Sequence, residues 1–244
     1  MHIVIGTPCY GGMMCTEYTQ SLLDLKEACL INNIKLTCIF LGNESLIQRG
    51  RNTIAHHFMN IPDATHLMFI DADQKFVAND IALMIKADKG IIGGPVPMKG
   101  INWDKVRQGA LLNHPNLPAL TGIFNINKLD KHDMIAPNLP FQVKHIGTGF
   151  MMIRRDVFEK VKPHVGWYAN GGGTINTNDK IYDYFKVQNV ENELLSEDYN
   201  FCHMYREHGG TVWAAPWCVL GHFGAHLFSG QYAQQGALNG TSLH

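Results

Sequence analysis

The chain has 244 residues, 45% hydrophobic and 17% charged, with a formal net charge of −1. That is enough apolar material for one large domain or two small ones with a full core. A balance this close to neutral provides no overall basic field for nucleic acid or an anionic membrane, although it does not report on local patches.

In chain order, HIVIGTP (2–8) reads as a short strand ending in Gly6-Thr7-Pro8. Residues 16–33 place Tyr18, Leu22, Leu25 and Cys29 at helical spacing, with Thr16 as the N-cap. IKLTCIFL (34–41) is a second strand and 44–60 a second helix, carrying Arg49, Arg51 and Asn52 near its start. THLMFID (65–71) is a third strand, 78–88 a third helix with Asn79 or Asp80 near its start, and GIIGGPVP (90–97) a fourth strand. This alternation predicts a mainly parallel, helix-covered sheet, in which ligands bind beyond the carboxyl ends of the strands.

The pattern changes after Pro97. Residues 98–140 are rich in Asn, Pro and Lys, with one strand-like piece, ALTGIFNIN (119–127). Residues 141–161 read as strand, Gly-Thr-Gly turn, strand and short helix. The glycines around Thr148 suit either a tight hairpin or close approach to a ligand. VGWYANGGGTINTNDK (165–180) reads as loop, 196–210 as a helix stopped by Gly209-Gly210, and TVWAAP (211–216) as a last strand. The Gly-rich remainder reads as a tail. No repeat or linker interrupts the chain.

The start lacks a basic stretch before its short apolar run, and no run approaches about 18 apolar residues, so neither a secretory leader nor a membrane span is expected. The six cysteines form no CxxC pair. Reduced thiols in a cytoplasmic protein, mostly buried, are the expectation.

The chemistry-bearing residues fall into a few groups. Asp71 and Asp73 follow an apolar strand, and two carboxylates so close repel unless a cation lies between them. A solvated acidic turn is the alternative. His222 and His226 are four apart, but Gly221 and Gly224 argue for a loop; either histidine could complete a cation's shell or serve only structure. Glu197 and Asp198 follow Ser196, a candidate N-cap, and either complement the helix dipole or handle a substrate proton. Arg51 and Asn52 suit a solvated face or recognition of phosphate or base. Lys99, Lys105, Arg107, Lys128, Lys131 and Lys144 read as a solvated basic face. No GxGxxG or GxxxxGK[ST] motif occurs, so dinucleotide and P-loop readings are weak.

In order, VIGTPCYGG, RGRN, HLMFIDADQKF, IIGGPVPMK, GTGFMMIRRDVFE, SEDYNFCHMYREHGG and GHFG resemble the motif series of GT-A-fold nucleotide-sugar glycosyltransferases, of the small family-2-like or viral and phage kind. The resemblance spans Ile3 to about His226, with Asp71-Ala72-Asp73 as the DxD motif. It implies one α/β, Rossmann-like catalytic domain: 1–97 for the nucleotide sugar, 98–226 for the acceptor side, 227–244 a tail. It also implies roles. Thr7, Pro8 and Tyr10 line the base pocket; Arg51 and Asn52 contact the nucleotide; Asp71 faces ribose or metal. Asp73 and His222, with His226 as fallback, hold Mn²⁺ or Mg²⁺. Lys99 reaches the diphosphate or sugar, Gly147, Thr148 and Gly149 lie by the donor sugar, and Glu197 and Asp198 face the acceptor, Asp198 as base if the enzyme inverts.

The donor so implied is a nucleotide sugar, a UDP-sugar by its frequency among metal-dependent relatives. The acceptor is a glycan, a protein, a small molecule or a hydroxymethylated base of phage DNA, and a homo-oligomer is left open. A nucleotidyltransferase would carry Arg and Lys in the first Gly-rich loop, and GTPCYGGMMCTEYT has neither. A non-catalytic nucleotide-binding protein of the same fold is the other alternative.

Overall fold

The protein, a computed structural model, is described over residues 1–124, 126–129, 135–169, 179–224 and 228–232. β1 (His2–Cys9) leads to α1 (Thr16–Ile31), β2 (Lys35–Gly42), α2 (Ile47–Met59) and β3 (His66–Ile70). Next come β4 (Gln74–Lys75), α3 (Ala78–Ala87), β5 (Ile91–Gly93), α4 (Trp103–Leu111) and β6 (Asn127–Lys128). β7 (Phe141–His145), β8 (Phe150–Arg154), α5 (Arg155–Val161), β9 (Trp167–Ala169) and β10 (Lys180–Tyr182) follow. The described chain closes with β11 (Gln188–Val190), β12 (Glu193–Leu195), α6 (Glu197–Glu207), β13 (Val212–Ala214), β14 (Val219–His222) and β15 (Phe228–Gln231).

The main sheet has eight strands in the order β2-β1-β3-β8-β5-β13-β7-β6. All run one way except β7 and β8, which run the other. This is the mainly parallel α/β sheet expected from the alternation. Side chains alternate across it with period two. Val4, Leu67, Phe69 and Ile153 pack with Ile54, Phe58, Phe158 and Phe201 of α2, α5 and α6. Ile3, Ile5, Met68 and Met152 pack with Tyr18, Leu25, Ile81 and Met84 of α1 and α3. β8 lies between β3 and β5, and β13 pairs with β5, so residues before and after Pro97 share one sheet.

Several local expectations are corrected. The α1 N-cap is Cys15, whose Sγ accepts from the Tyr18 N–H, and Thr16 is already helical. HIGTG is not a hairpin, since β5 and β13 lie between β7 and β8. Its residues cross the sheet instead, and Ile146 packs so tightly over β5 that a Cβ on Gly93 would sit 2.6 Å from Ile146 Cγ1. α4 forms within the stretch read as irregular, capped by Asn102 Oδ1 on the Lys105 N–H. The 165–180 stretch holds β9, which pairs with β10; Gly171–Gly173 lie outside the described residues. Gly221 and His222 are strand residues, not loop: β14 pairs with β15 and with β4.

Arg155, at the start of α5, holds α2 in place. Its guanidinium donates to the carbonyls of Phe58, Met59, Ile61 and Ala64, closing the helix's C-terminal end and the turn beyond it. Arg155→Met strands those acceptors and is expected to cost about 2–4 kcal/mol of stability. Urea denaturation measures it, and an unchanged midpoint would show the cap to be dispensable.

Candidate active site

The carboxyl ends of β1, β2 and β3 open onto a cleft of about 670 Å³. Its walls include Pro8, Tyr10, Met13, Glu44, Arg51 and Phe223, with Asp71, Ala72 and Asp73 below. The acidic pair is built by a turn. β3 stops at Ile70, the Asp71 N–H donates to the Gly149 carbonyl, and the Gln74 N–H closes back on the Asp71 carbonyl. The loop before α1 is tied to the same turn, Cys15 N–H to Ala72 O at 2.9 Å.

Beyond the turn, β4 pairs antiparallel with β14, placing His222 opposite Gln74. The Phe223 N–H donates to the Asp73 carbonyl at 2.7 Å. This short ladder carries a histidine from far along the chain to the aspartate. His222 Nε2 lies 3.2 Å from Asp73 Oδ2, and its Nδ1 lies 2.9 Å from the Pro97 carbonyl. Lys99 Nζ reaches the same Oδ2 at 2.8 Å. Burial alone would raise the Asp73 pKa; the His222 and Lys99 contacts outweigh it and hold it at about 2. Burial likewise opposes charge on His222, but Asp73 and the Pro97 carbonyl raise it.

A second node lies behind the turn. Arg51, buried on α2, donates from Nη2 to Asp71 Oδ1 and from Nε to Glu197 Oε1, each at 3.1 Å. Its guanidinium also sits over the Phe69 ring. Burial disfavours its charge, but Asp71, Glu197 and Asp198 outweigh that and raise its pKa. Burial and neighbouring Asp198 push Glu197 up, against the pull of Arg51.

Glu197 and Asp198 form the first turn of α6. Ser196 stands at the N-cap position, but its hydroxyl donates to Asp198 Oδ1 rather than capping the helix. The Thr148 N–H approaches Asp198 Oδ2 at 3.4 Å. A Cβ on Gly149 would stand 3.3 Å from Asp71 Oδ2, and one on Gly147 3.6 Å from Asp198 Oδ2. The 147–149 crossing therefore separates the two acidic pairs by the thickness of a bare backbone.

Not every expected residue faces the cleft. Pro8 and Tyr10 line it, but Thr7 is buried behind, its hydroxyl 2.6 Å from the Tyr18 hydroxyl. Asn52, expected at the nucleotide, spends its amide on Asp183 Oδ1 and the Phe185 backbone, clamping α2 to that loop. His226 lies outside the described residues. Sequence reasoning missed Met13, Glu44, Ser45 and Phe223 as cleft walls. Position after the carboxyl end of the second strand was the available signal for Glu44 and Ser45.

Among the described residues, no three His, Cys, Asp or Glu side chains form a ready-made metal cage. Asp73 and His222 nevertheless fit as two ligands of one cation. The Pro97 carbonyl only accepts, so Nδ1 carries the hydrogen. A proton on Nε2 bridges the pair in the free protein, in keeping with the raised His222 pKa; once that proton is lost, Nε2 offers a lone pair to a cation shared with the carboxylate. The second nitrogen on a carbonyl is the usual support of a metal-ligating histidine. A spacing of 3.2 Å suits adjacent ligands of an ion with bonds of about 2.1 Å.

No family model matches the chain, and no curated protein matches it. Among solved structures, A197 from STIV is similar over 94% of this chain and 94% of its own, at 15% identity and a TM-score of 0.52. TarS from S. aureus is similar over 88% of this chain, at 11% identity and a TM-score of 0.41, and this chain spans 36% of its length. The likeness to A197 is one of fold. No described helix is long and apolar enough to cross a membrane.

Arg51→Met leaves Asp71 and Glu197 facing each other without their cation and is expected to cost about 3–5 kcal/mol. Adding Glu197→Gln should recover part of that loss, so the two effects fall short of additive in chemical denaturation. Strict additivity would mean that the bridge does not operate in solution.

Proposed function

We propose that the chain is a glycosyltransferase that moves a sugar from a nucleotide sugar, foremost a UDP-sugar, to an acceptor hydroxyl, with Mn²⁺ or Mg²⁺ as cofactor. The observation that carries this reading is the Asp73–His222 pair, with Nε2 aimed at a carboxylate oxygen on the floor of the cleft. Such a cation is expected to be held by few protein groups, because substrate phosphates supply the rest. That accords with two ligands and no complete cage. Uridine rests on its frequency among the metal-dependent families that the motifs resemble. The acceptor class stays with a glycan, a protein or a hydroxymethylated DNA base.

When bound, the cation neutralises charge that grows on the departing diphosphate. The remaining work belongs to the chain. Pro8, Tyr10 and Met13 offer the base an apolar wall, and Tyr10 is largely exposed and open to stacking. Asp71, held by Arg51 at one oxygen, keeps the other toward Gly149, where a ribose or sugar hydroxyl can donate. Of the acidic helix pair, Glu197 is committed to Arg51. Asp198 is the group we assign to the acceptor proton. Ser196 Oγ and the Tyr199 N–H orient its Oδ1, and among the described residues its Oδ2 has only the long Thr148 contact. The 147–149 crossing lets donor and acceptor carboxylates work on opposite sides of one backbone.

A thermal-shift panel of nucleotide sugars, with and without Mn²⁺, tests the reading. One donor should stabilise the protein only with metal, by about 2.7 kcal/mol at a hundredfold excess over its Kd. Asp73→Asn should abolish both that shift and turnover. Asp198→Asn should leave the shift intact and lower kcat by about 10²–10⁴-fold. Full activity of Asp73→Asn in EDTA would sink the metal assignment.

A further inference from the structure

We infer that Lys99 is a latch on the cation site: in the free protein its ammonium occupies Asp73, and a divalent ion must displace it from that carboxylate, which a diphosphate favours by drawing the lysine away. The inference rests on the assignment of Asp73 and His222 to the cation. Asp73 Oδ2 receives Lys99 Nζ at 2.8 Å and His222 Nε2 at 3.2 Å. Among the described residues, its Oδ1 has only a long contact from Gln74 Nε2 at 3.4 Å. The oxygen best placed to share an ion with His222 is therefore already holding a positive charge.

Lys99 and the backbone that fixes His222 belong to one short stretch. Pro97 supplies the carbonyl on Nδ1, and Met98 is anchored through its N–H to the Ile123 carbonyl at 2.7 Å. Lys99 thus has a fixed root and a free, flexible stem, with its side chain 44% exposed. An ammonium and a divalent ion at one oxygen repel strongly, so the two states exclude each other. Moving the ammonium onto a diphosphate relieves the clash and gives it a more highly charged anion. Metal and donor then bind with positive coupling, which is reciprocal by linkage.

The test follows Mn²⁺ binding by electron paramagnetic resonance on the full chain, without turnover. Mn²⁺ alone should bind Lys99→Ala, and Lys99→Gln as a second variant, on the order of tenfold more tightly than wild type. The gain should vanish in Lys99→Ala with Asp73→Asn. UDP should tighten Mn²⁺ binding to wild type more than to Lys99→Ala. Suppose the Lys99 variants bind Mn²⁺ no more tightly than wild type, while Asp73→Asn still weakens binding in the presence of UDP. The latch is then wrong and the metal assignment stands. If no arm shows Asp73-dependent binding, with or without UDP, both fall.

Discussion

A guanidinium cannot shed its proton, so a buried arginine must be met by anions or the fold does not form. Arg51 imposes that condition. It sits beneath the cleft on α2, and the carboxylates that answer it come from two distant places, Asp71 after β3 and Glu197 at the head of α6. Satisfying one cation therefore docks α6 against the end of β3. Without that docking the two acidic segments would repel, because neither has another buried cation among the described contacts. The aromatic floor beneath Arg51, Phe69 packed on Phe185, shields the guanidinium on the side away from the cleft.

The second dependency is one of register. β4 is only two residues long, yet it decides which residue of β14 stands beside Asp73. Strand side chains alternate, so a slip of one residue would turn His222 to the other face and present Gly221 or Phe223 instead. Two contacts hold the register. Asp80, buried in the first turn of α3, accepts from the Val219 N–H at the start of β14. The Phe223 N–H closes on the Asp73 carbonyl at its end. Burial raises the Asp80 pKa, a cost set against the strand start that it fixes.

The strand–helix alternation of the first hundred residues was legible because each segment is long and its apolar period is clean. The order and direction of the later strands were not. Nothing in HIGTG distinguishes a hairpin from a crossing; that choice was made by Gly93, whose missing side chain lets Ile146 lie flat on β5. α4 escaped notice because it is only nine residues long and lies in a stretch whose Asn, Pro and Lys content reads as irregular. The acidic pairs were visible as residue types, and His222 was named with Asp73, but the bridge from Arg51 to Asp71 and Glu197 was not foreseen. Asn52 has the chemistry of a ligand contact and works as a clamp on residues 183–185. His222 was named as a candidate ligand, but its strand was read as loop, since β14 is defined by its neighbours and not by its own propensity.

Local geometry then divides the work among four carboxylates. Asp71 and Asp73 are separated by one residue of a turn, so they diverge: Asp71 points back to Arg51, Asp73 out to Lys99 and His222. Glu197 and Asp198 are successive residues of a helix and lie about 100° apart around its axis. Glu197 therefore reaches Arg51 while Asp198 faces the Thr148 backbone. Each pair commits one member to the buried cation and leaves one facing outward. The 147–149 crossing lies between the pairs: Asp71 Oδ2 stands 3.3 Å from a would-be Cβ on Gly149, closer than ordinary contact, and Asp198 Oδ2 faces Gly147 and the Thr148 N–H. A side chain there would push apart the two halves of the site that Arg51 pulls together. The glycines of the crossing and the buried arginine thus answer one geometric demand: two acidic segments held close, with the charge balanced below and backbone alone between them.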